Sequence, residues 1–270
     1  MKQGIVIAWI MAVLLAAPAW AQTPVLAAPG SVMQVASRGI SVPVYAVWRD
    51  DAVATLVLFS GANGGYGHIA EDGWPSSRNF LIRSARLFAA HPLNVVLVGL
   101  APDLRELDGH TRLGDAHQQD NRAIIAALKA RSKAPLWLVG TSMGTVSVTA
   151  AAIRDSAVGD LAGIVLSSSI TSYKREGAVP SQELGKIKVP VLVLHNERDA
   201  CPICQPWEAK KIAARLTAAP VTKTLIVDGG SDPSGEACGA LHYHGYIGME
   251  QQAVDLIANW IQNTGVRSTK

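Results

Sequence analysis

Charge is thin and unclustered in this chain, aromatic residues are few and cysteine is scarce. Of 270 residues, 17% are charged and 6% aromatic, three are cysteine, and 49% are hydrophobic. That apolar content excludes a disordered tail and a coiled coil, and three cysteines cannot staple a disulfide miniprotein. Twenty-four Lys and Arg oppose 21 Asp and Glu, a net charge of +3 with no basic run. The electrostatic footprint of a nucleic-acid binder is missing, so no nucleic-acid partner is expected. No repeat or low-complexity segment occurs, and no second long apolar run follows the first 21 residues. Nothing after that point is therefore expected to span a bilayer.

The first 21 residues have their own logic. Met1-Lys2 gives a cationic start, Ile5 to Ala17 is an unbroken apolar run, and Ala19-Trp20-Ala21 is a small-x-small cleavage pattern before polar Gln22. Thirteen apolar residues fall short of the roughly 20 needed to cross a hydrocarbon core. Residues 1–21 are accordingly expected to be a signal peptide, with a periplasmic or secreted product of residues 22–270. No cysteine follows the cleavage site, which speaks against a lipoprotein anchor.

Export puts Cys201, Cys204 and Cys238 in an oxidising compartment, where one disulfide and one spare thiol are expected. Spacing leaves the connectivity open. A Cys201–Cys238 bridge would close a loop worth roughly 4 kcal/mol in the chain-entropy model, and a Cys201–Cys204 ring would be worth less. The Cys201-Pro-Ile-Cys204 run also resembles a thioredoxin-type redox pair, but without the early helix start in a small domain that such pairs have. A zinc site from the three cysteines and His242 would need a Cys-x3-His spacing that fits no common ribbon, so no metal is expected.

Two paired strands around Arg38-Gly39 are predicted at 32–37 and 41–48 from their alternation. Strand-length apolar runs follow at 54–59, 94–100, 136–139, 163–166, 189–194 and 224–227. Helical patterns separate them at 77–90, 115–131, 143–155, 207–218 and 246–263. Strands buried on both faces and alternating with helices predict one α/β domain with a mostly parallel sheet. In such sheets, function collects in the loops at the carboxyl ends of the strands.

One of those loops is Gly140-Thr-Ser142-Met-Gly144, set between an apolar strand and a small-residue helix. Gly-x-Ser-x-Gly in that setting makes a sharp turn with the Ser142 hydroxyl exposed at the helix start. A serine nucleophile needs a base, and the base needs an orienting acid, arriving in that architecture in the order Ser, acid, His. After the strand ending at Leu194 comes His195-Asn-Glu197-Arg-Asp199, in which Asp199 lies just past the strand end and Glu197 is the fallback. After the last strand comes His242-Tyr-His244-Gly-Tyr246, with His244 at the helix entry as the base and His242 in support.

On these residues the chain resembles an α/β-hydrolase over nearly all of the expected mature protein, and is similar to exported bacterial serine hydrolase-like proteins of undefined substrate. The resemblance implies the α/β-hydrolase fold, with Ser142 as nucleophile, Asp199 as acid and His244 as base. It implies an oxyanion hole from the backbone N–H of Met143 and of Ala62, although Ser60-Gly61 stands where relatives often carry His-Gly. Similar proteins tend to carry a cysteine just after the acid and another before the histidine, which implies a Cys201–Cys238 disulfide. The activity implied is hydrolysis of a carboxylic ester through an acyl-enzyme. A peptidase or acyltransferase on the same fold is the alternative within enzymes, and a catalytically silent binding module the alternative outside them.

The glycines of 61–67 are followed by no Lys-Ser/Thr at P-loop spacing and form no dinucleotide fingerprint, so no cofactor is expected. Residues 167–188 are too few for a separate helical lid, which favours small or medium ester or acyl substrates. His68, His91 and His110 sit in polar loops and carry no expected chemistry. His117 and Asp120 share a helix face suited to surface or interlayer hydrogen bonds. His195 is expected to be packed, and Trp74 either walls the acyl pocket or anchors its loop.

Overall fold

The computed structural model describes residues 27–265; residues 1–26, which include the expected leader, and the last five residues lie outside the described residues. The first hairpin joins β1 (Ser31–Ser37) to β2 (Ile40–Val47). Its turn residues Arg38 and Gly39 both have positive φ, 49° and 78°, the signature of a type I′ turn whose twist matches the strands.

The chain continues through β3 (Ala54–Phe59), a two-residue hairpin of β4 (His68–Ile69) and β5 (Pro75–Ser76), α1 (Phe80–Arg83), α2 (Ala85–Ala89) and β6 (Leu93–Val98). Then come α3 (Gly109–Leu113), α4 (Asp115–Arg131), β7 (Leu136–Thr141), α5 (Gly144–Asp155) and β8 (Gly163–Ser167). The last elements are β9 (Val191–Asn196), α6 (Ala209–Arg215), β10 (Thr222–Val227) and α7 (Glu250–Gly265). Eight strands form one sheet in the order β1-β2-β6-β3-β7-β8-β9-β10. Pairing is antiparallel from β1 to β6 and parallel from β6 to β10.

The period of two along each strand sorts side chains into two apolar layers. Val57, Leu138, Ile164 and Val193 face α4, α5 and α6. Leu56, Trp137, Val165 and Leu192 face α1, α2 and α7. The second layer is locked by Trp137, which meets Trp260 of α7 edge-on at 5.2 Å. Gly163 makes room for that indole, since a Cβ there would stand 2.0 Å from the Trp137 ring.

Four differences from the predicted elements have local causes. The helix expected over 77–90 breaks at Ser84, because Phe80, Leu81 and Ile82 are all buried in one turn, which one straight amphipathic face cannot do. α3 occupies a stretch expected to be loop, capped by the Asp108 side chain accepting from Thr111 N–H at 2.8 Å. The closing helix starts at Glu250 rather than Tyr246, because Tyr246 and Gly248 have φ of 58° and 70°, outside the right-handed helical region. α6 is shorter than the predicted 207–218, being preceded by a 3₁₀ turn at Pro206–Glu208 and closed at Arg215.

Candidate functional site

Ser142 sits in the two-residue gap between the end of β7 and the start of α5, with φ 52°. The turn that holds it there has no room for side chains on either flank. A Cβ on Gly144 would lie 2.0 Å from the Phe59 carbonyl oxygen, and one on Gly140 would lie 2.7 Å from the Gly144 carbonyl oxygen. Ser142 N–H donates to the Ser167 carbonyl at 3.1 Å. The Ser142 carbonyl accepts from Thr145 N–H at 2.9 Å and from the Thr145 hydroxyl at 2.6 Å. These bonds fix a strained serine in place and leave its side chain half-buried at a cleft.

Past the end of β9, Asp199 folds back so that its N–H donates to the Asn196 carbonyl at 3.0 Å. One carboxylate oxygen accepts from Cys201 N–H at 2.9 Å; the other meets Nδ1 of His244 at 2.8 Å. A carboxylate only accepts, so the ring proton sits on Nδ1 and Nε2 keeps a free lone pair. Both partners are interior groups, with side-chain exposures of 0% for Asp199 and 5% for His244. Glu197, the fallback acid, is exposed.

The histidine segment is tied down from several sides. The His244 carbonyl accepts from the Ser168 hydroxyl at 2.8 Å, and the Gly245 carbonyl from Nη2 of Arg83 at 2.6 Å. Arg83 is itself paired with Glu250 at 2.9 Å. Buried Tyr246 donates its hydroxyl to the Leu194 carbonyl at 2.8 Å. A disulfide joins Cys201 of the acid loop to Cys238 of the histidine loop, and Cys204 is a free, buried thiol.

Facing Ser142 from the other side is the segment after β3. A Cβ on Gly61 would lie 2.9 Å from the Ser142 Cβ and 3.0 Å from the Thr141 carbonyl oxygen, so the backbone passes directly against the turn. Ala62 has φ 47°, and Gly64 N–H closes onto the Gly61 carbonyl at 3.0 Å. Beneath this segment is Arg112, a residue without any motif to mark it. Its guanidinium donates to the carbonyls of Leu107 at 2.7 Å, Ser60 at 3.2 Å and Ala62 at 3.0 Å, and to the Ser147 hydroxyl at 2.9 Å. Burial lowers its pKa to about 9, opposed only by the charge of Asp108. His117, on α4, stands 2.9 Å from the same Ser147 hydroxyl through Nε2. His117 and Asp120 thus make interlayer contacts, Asp120 through Arg38 at 2.7 Å.

Ser142 and His244 line one cleft of about 60 Å³, with Gly61, Ala62, Phe80 and Cys238 in its wall. Among the described residues, no hydrogen bond joins the Ser142 hydroxyl to the imidazole. Met143 begins α5 beside the cleft without lining it. Trp74 is an anchor of its loop, packed at 6.0 Å on Tyr45 and under the Arg86 guanidinium at 5.1 Å. His242 packs edge-on to Tyr243 at 5.2 Å and stays out of the Asp199–His244 pair. His195 is packed as expected, its Nε2 accepting from Ser169 N–H at 3.1 Å.

No protein-family model and no curated protein sequence matches the chain. Solved structures do. A thermostable carboxylesterase cloned from a metagenomic library superposes with TM-score 0.61 at 17% identity, over 90% of each chain. A dienelactone hydrolase from Anabaena variabilis gives 0.62 at 15% identity, over 87% of this chain and 97% of its own. A puromycin-hydrolysing peptidase from Mycobacterium tuberculosis gives 0.62 at 16% identity, over 91% of this chain but 42% of its own. Among the described residues, no helix is long and apolar enough to cross a membrane. At such identities the likeness is one of architecture: the chain has the α/β-hydrolase fold, with a mostly parallel sheet flanked by helices.

Proposed function

We propose that this chain is a serine hydrolase that cleaves carboxylic esters with small acyl groups. What carries the assignment is one juxtaposition: a buried Asp199–His244 pair at 2.8 Å opens onto the cleft that a left-handed Ser142 also lines. Nε2 of His244 takes the Ser142 proton as the hydroxyl oxygen attacks the substrate carbonyl, and Asp199 holds the ring in the tautomer that can do so. The resulting tetrahedral oxygen is met by the N–H of Ala62 and of Met143, neither of which donates elsewhere among the described residues. His244 then returns its proton to the leaving alcohol, and water repeats the sequence on the acyl-serine.

A cleft of about 60 Å³ holds a group of a few heavy atoms, well below the roughly 300 Å³ at which drug-sized pockets begin. Acetyl and propionyl esters are therefore the substrates expected, with turnover falling steeply as the acyl chain lengthens. The names of the structural neighbours include both esterases and peptidases, so a peptide amide belongs in the same panel. A fluorophosphonate probe should label wild type and fail on Ser142→Ala, and either Ser142→Ala or His244→Ala should lower ester turnover by roughly 10⁶-fold. A folded wild type that takes no label would overturn the assignment in favour of a silent binding module.

The proposed enzyme is a single domain of residues 22–270, made with the 1–21 leader and released to a periplasm or the exterior. A disulfide between two loops suits an oxidising compartment. Intact mass of the exported protein should correspond to a start at Gln22; a start at Met1 contradicts it.

A further inference from the structure

The Cys201-Pro-Ile-Cys204 run has one sulfur in a disulfide and one free, and the free one is not isolated. The sulfurs of Cys201 and Cys204 and a ring nitrogen of His244 all lie within 4.8 Å of one another. Cys204 N–H closes a turn onto the Cys201 carbonyl at 3.0 Å. Such a turn brings its end Cα atoms within about 7 Å, which overlaps the span a disulfide bridges. Cys201 therefore has two sulfur partners within reach, Cys238 across the loops and Cys204 along its own turn.

We infer that Cys201, Cys204 and Cys238 form a thiol–disulfide exchange site, in which Cys204 displaces Cys238 from Cys201. The Cys204 thiol gives its proton to Nε2 of His244, and the thiolate attacks the Cys201 sulfur. The Cys201–Cys238 bond breaks as the Cys201–Cys204 bond forms, and Cys238 leaves as a thiolate that takes the proton from His244. Two electrons stay in one disulfide throughout, so neither oxidant nor reductant is needed. The exchange releases the histidine loop from the acid loop and places a free Cys238 thiol in the wall of the cleft.

The groups around Cys204 set its pace. Burial and the Asp199 charge hold the thiol protonated, opposed by the Ser142 hydroxyl and by Arg175. His195 and Tyr246 complete the surround, and burial keeps the first neutral as an imidazole and the second neutral as a phenol. The thiolate is the attacking species and His244 holds its proton, so the reacting pair carries the same number of protons as the resting thiol and imidazole. The exchange rate should therefore stay nearly level from pH 7 to 9 in wild type and rise steeply with pH in His244→Ala, where solvent must take the proton.

The test reads sulfur connectivity and needs no substrate. The oxidised full-length chain is incubated at pH 7, 8 and 9, quenched in acid, unfolded, alkylated and mapped by mass spectrometry. The expected result is one alkylated cysteine per chain at every pH. The label should pass from Cys204 to Cys238 as a Cys201–Cys204 peptide appears, at a rate independent of protein concentration. Ser142→Ala, which removes the proposed nucleophile and with it one group that favours the Cys204 thiolate, should still pass the label to Cys238, though more slowly than wild type, which separates this site from the proposed hydrolase chemistry. Cys204→Ser, and Cys204→Ala should the serine variant misfold, should never expose Cys238. Label confined to Cys204 in a folded chain at pH 9, or a rate that scales with concentration, overturns the inference.

Discussion

Arg112 brings a guanidinium into the interior at 1% exposure and spends its donors on backbone carbonyls and one hydroxyl rather than on a carboxylate. Because it fixes the carbonyls of Ser60 and Ala62, it also fixes where the Ala62 N–H points. Arg112→Met leaves those acceptors buried and unpaired, at about 1–3 kcal/mol each, and should unfold at markedly lower denaturant. Arg112→Lys keeps a charge but not the planar fork. Its expected effect on the proposed hydrolysis is a kcat lower by about tenfold or more, with KM little changed, as befits a donor used only in the transition state. Steady-state kinetics on an acetyl ester decide it; a Lys variant at wild-type kcat shows that the carbonyl contacts do not position the loop. As candidates, Ser142, Asp199 and His244 could be picked from the sequence, because a glycine-flanked serine and the order of acid and histidine mark themselves in one dimension, and the structure sets Ser142 and His244 on one cleft with Asp199 behind the histidine. Arg112 could not, since it owes its place to partners brought near only by the fold, such as Ser60, 52 positions away.

Among the elements, the sheet was the most legible and the helix boundaries the least. All eight sheet strands fall where they were predicted, β1 and β2 from alternation and the other six from apolar runs, which strands buried on both faces, such as β3, β6 and β7, must have. The breaks at Ser84 and Tyr246 were hidden because tertiary burial and a left-handed residue, not local propensity, impose them. The loops at the strand ends carry the site, and a disulfide spanning 37 residues links two of them. Replacing Cys201 and Cys238 together by Ala should lower unfolding free energy by about 2–4 kcal/mol, read from the midpoint of a urea transition. The Ser168, Arg83 and Tyr246 anchors of the histidine loop remain in that variant, so His244 should still reach Asp199 and activity should be reduced rather than abolished. A shift below about 1 kcal/mol means the folded loops need no covalent tie.

The molecule as a whole pairs its sheet with two apolar layers, and neutral histidines are buried where function and packing meet. His117 lies under α5, its pKa lowered to about 3 by burial and by the Arg112 charge. His195 lies at the end of β9, lowered to about 4 by burial, with Asp199 pulling the other way. Both are neutral in the folded chain at any pH above these values, whereas an unfolded histidine binds a proton below about pH 6.5. From pH 6.5 down to about 4 the unfolded state therefore holds more protons, and stability must fall as pH falls. Each histidine contributes a slope approaching about 1.4 kcal/mol per pH unit across that window. The carboxylates of Asp51, Asp72, Asp103 and Asp108 are lowered from 3.8 by their hydrogen-bond partners, so their share is lost only below the window and cannot mimic it. Urea unfolding at half-unit steps from pH 7 to 4.5 measures the slope directly, and His117→Gln should flatten it while keeping an acceptor for the Ser147 hydroxyl. An equal slope in wild type and variant would mean that His117 is solvated enough to take up its proton without unfolding, and the sealed polar network behind the Ser142 turn would have to be given up.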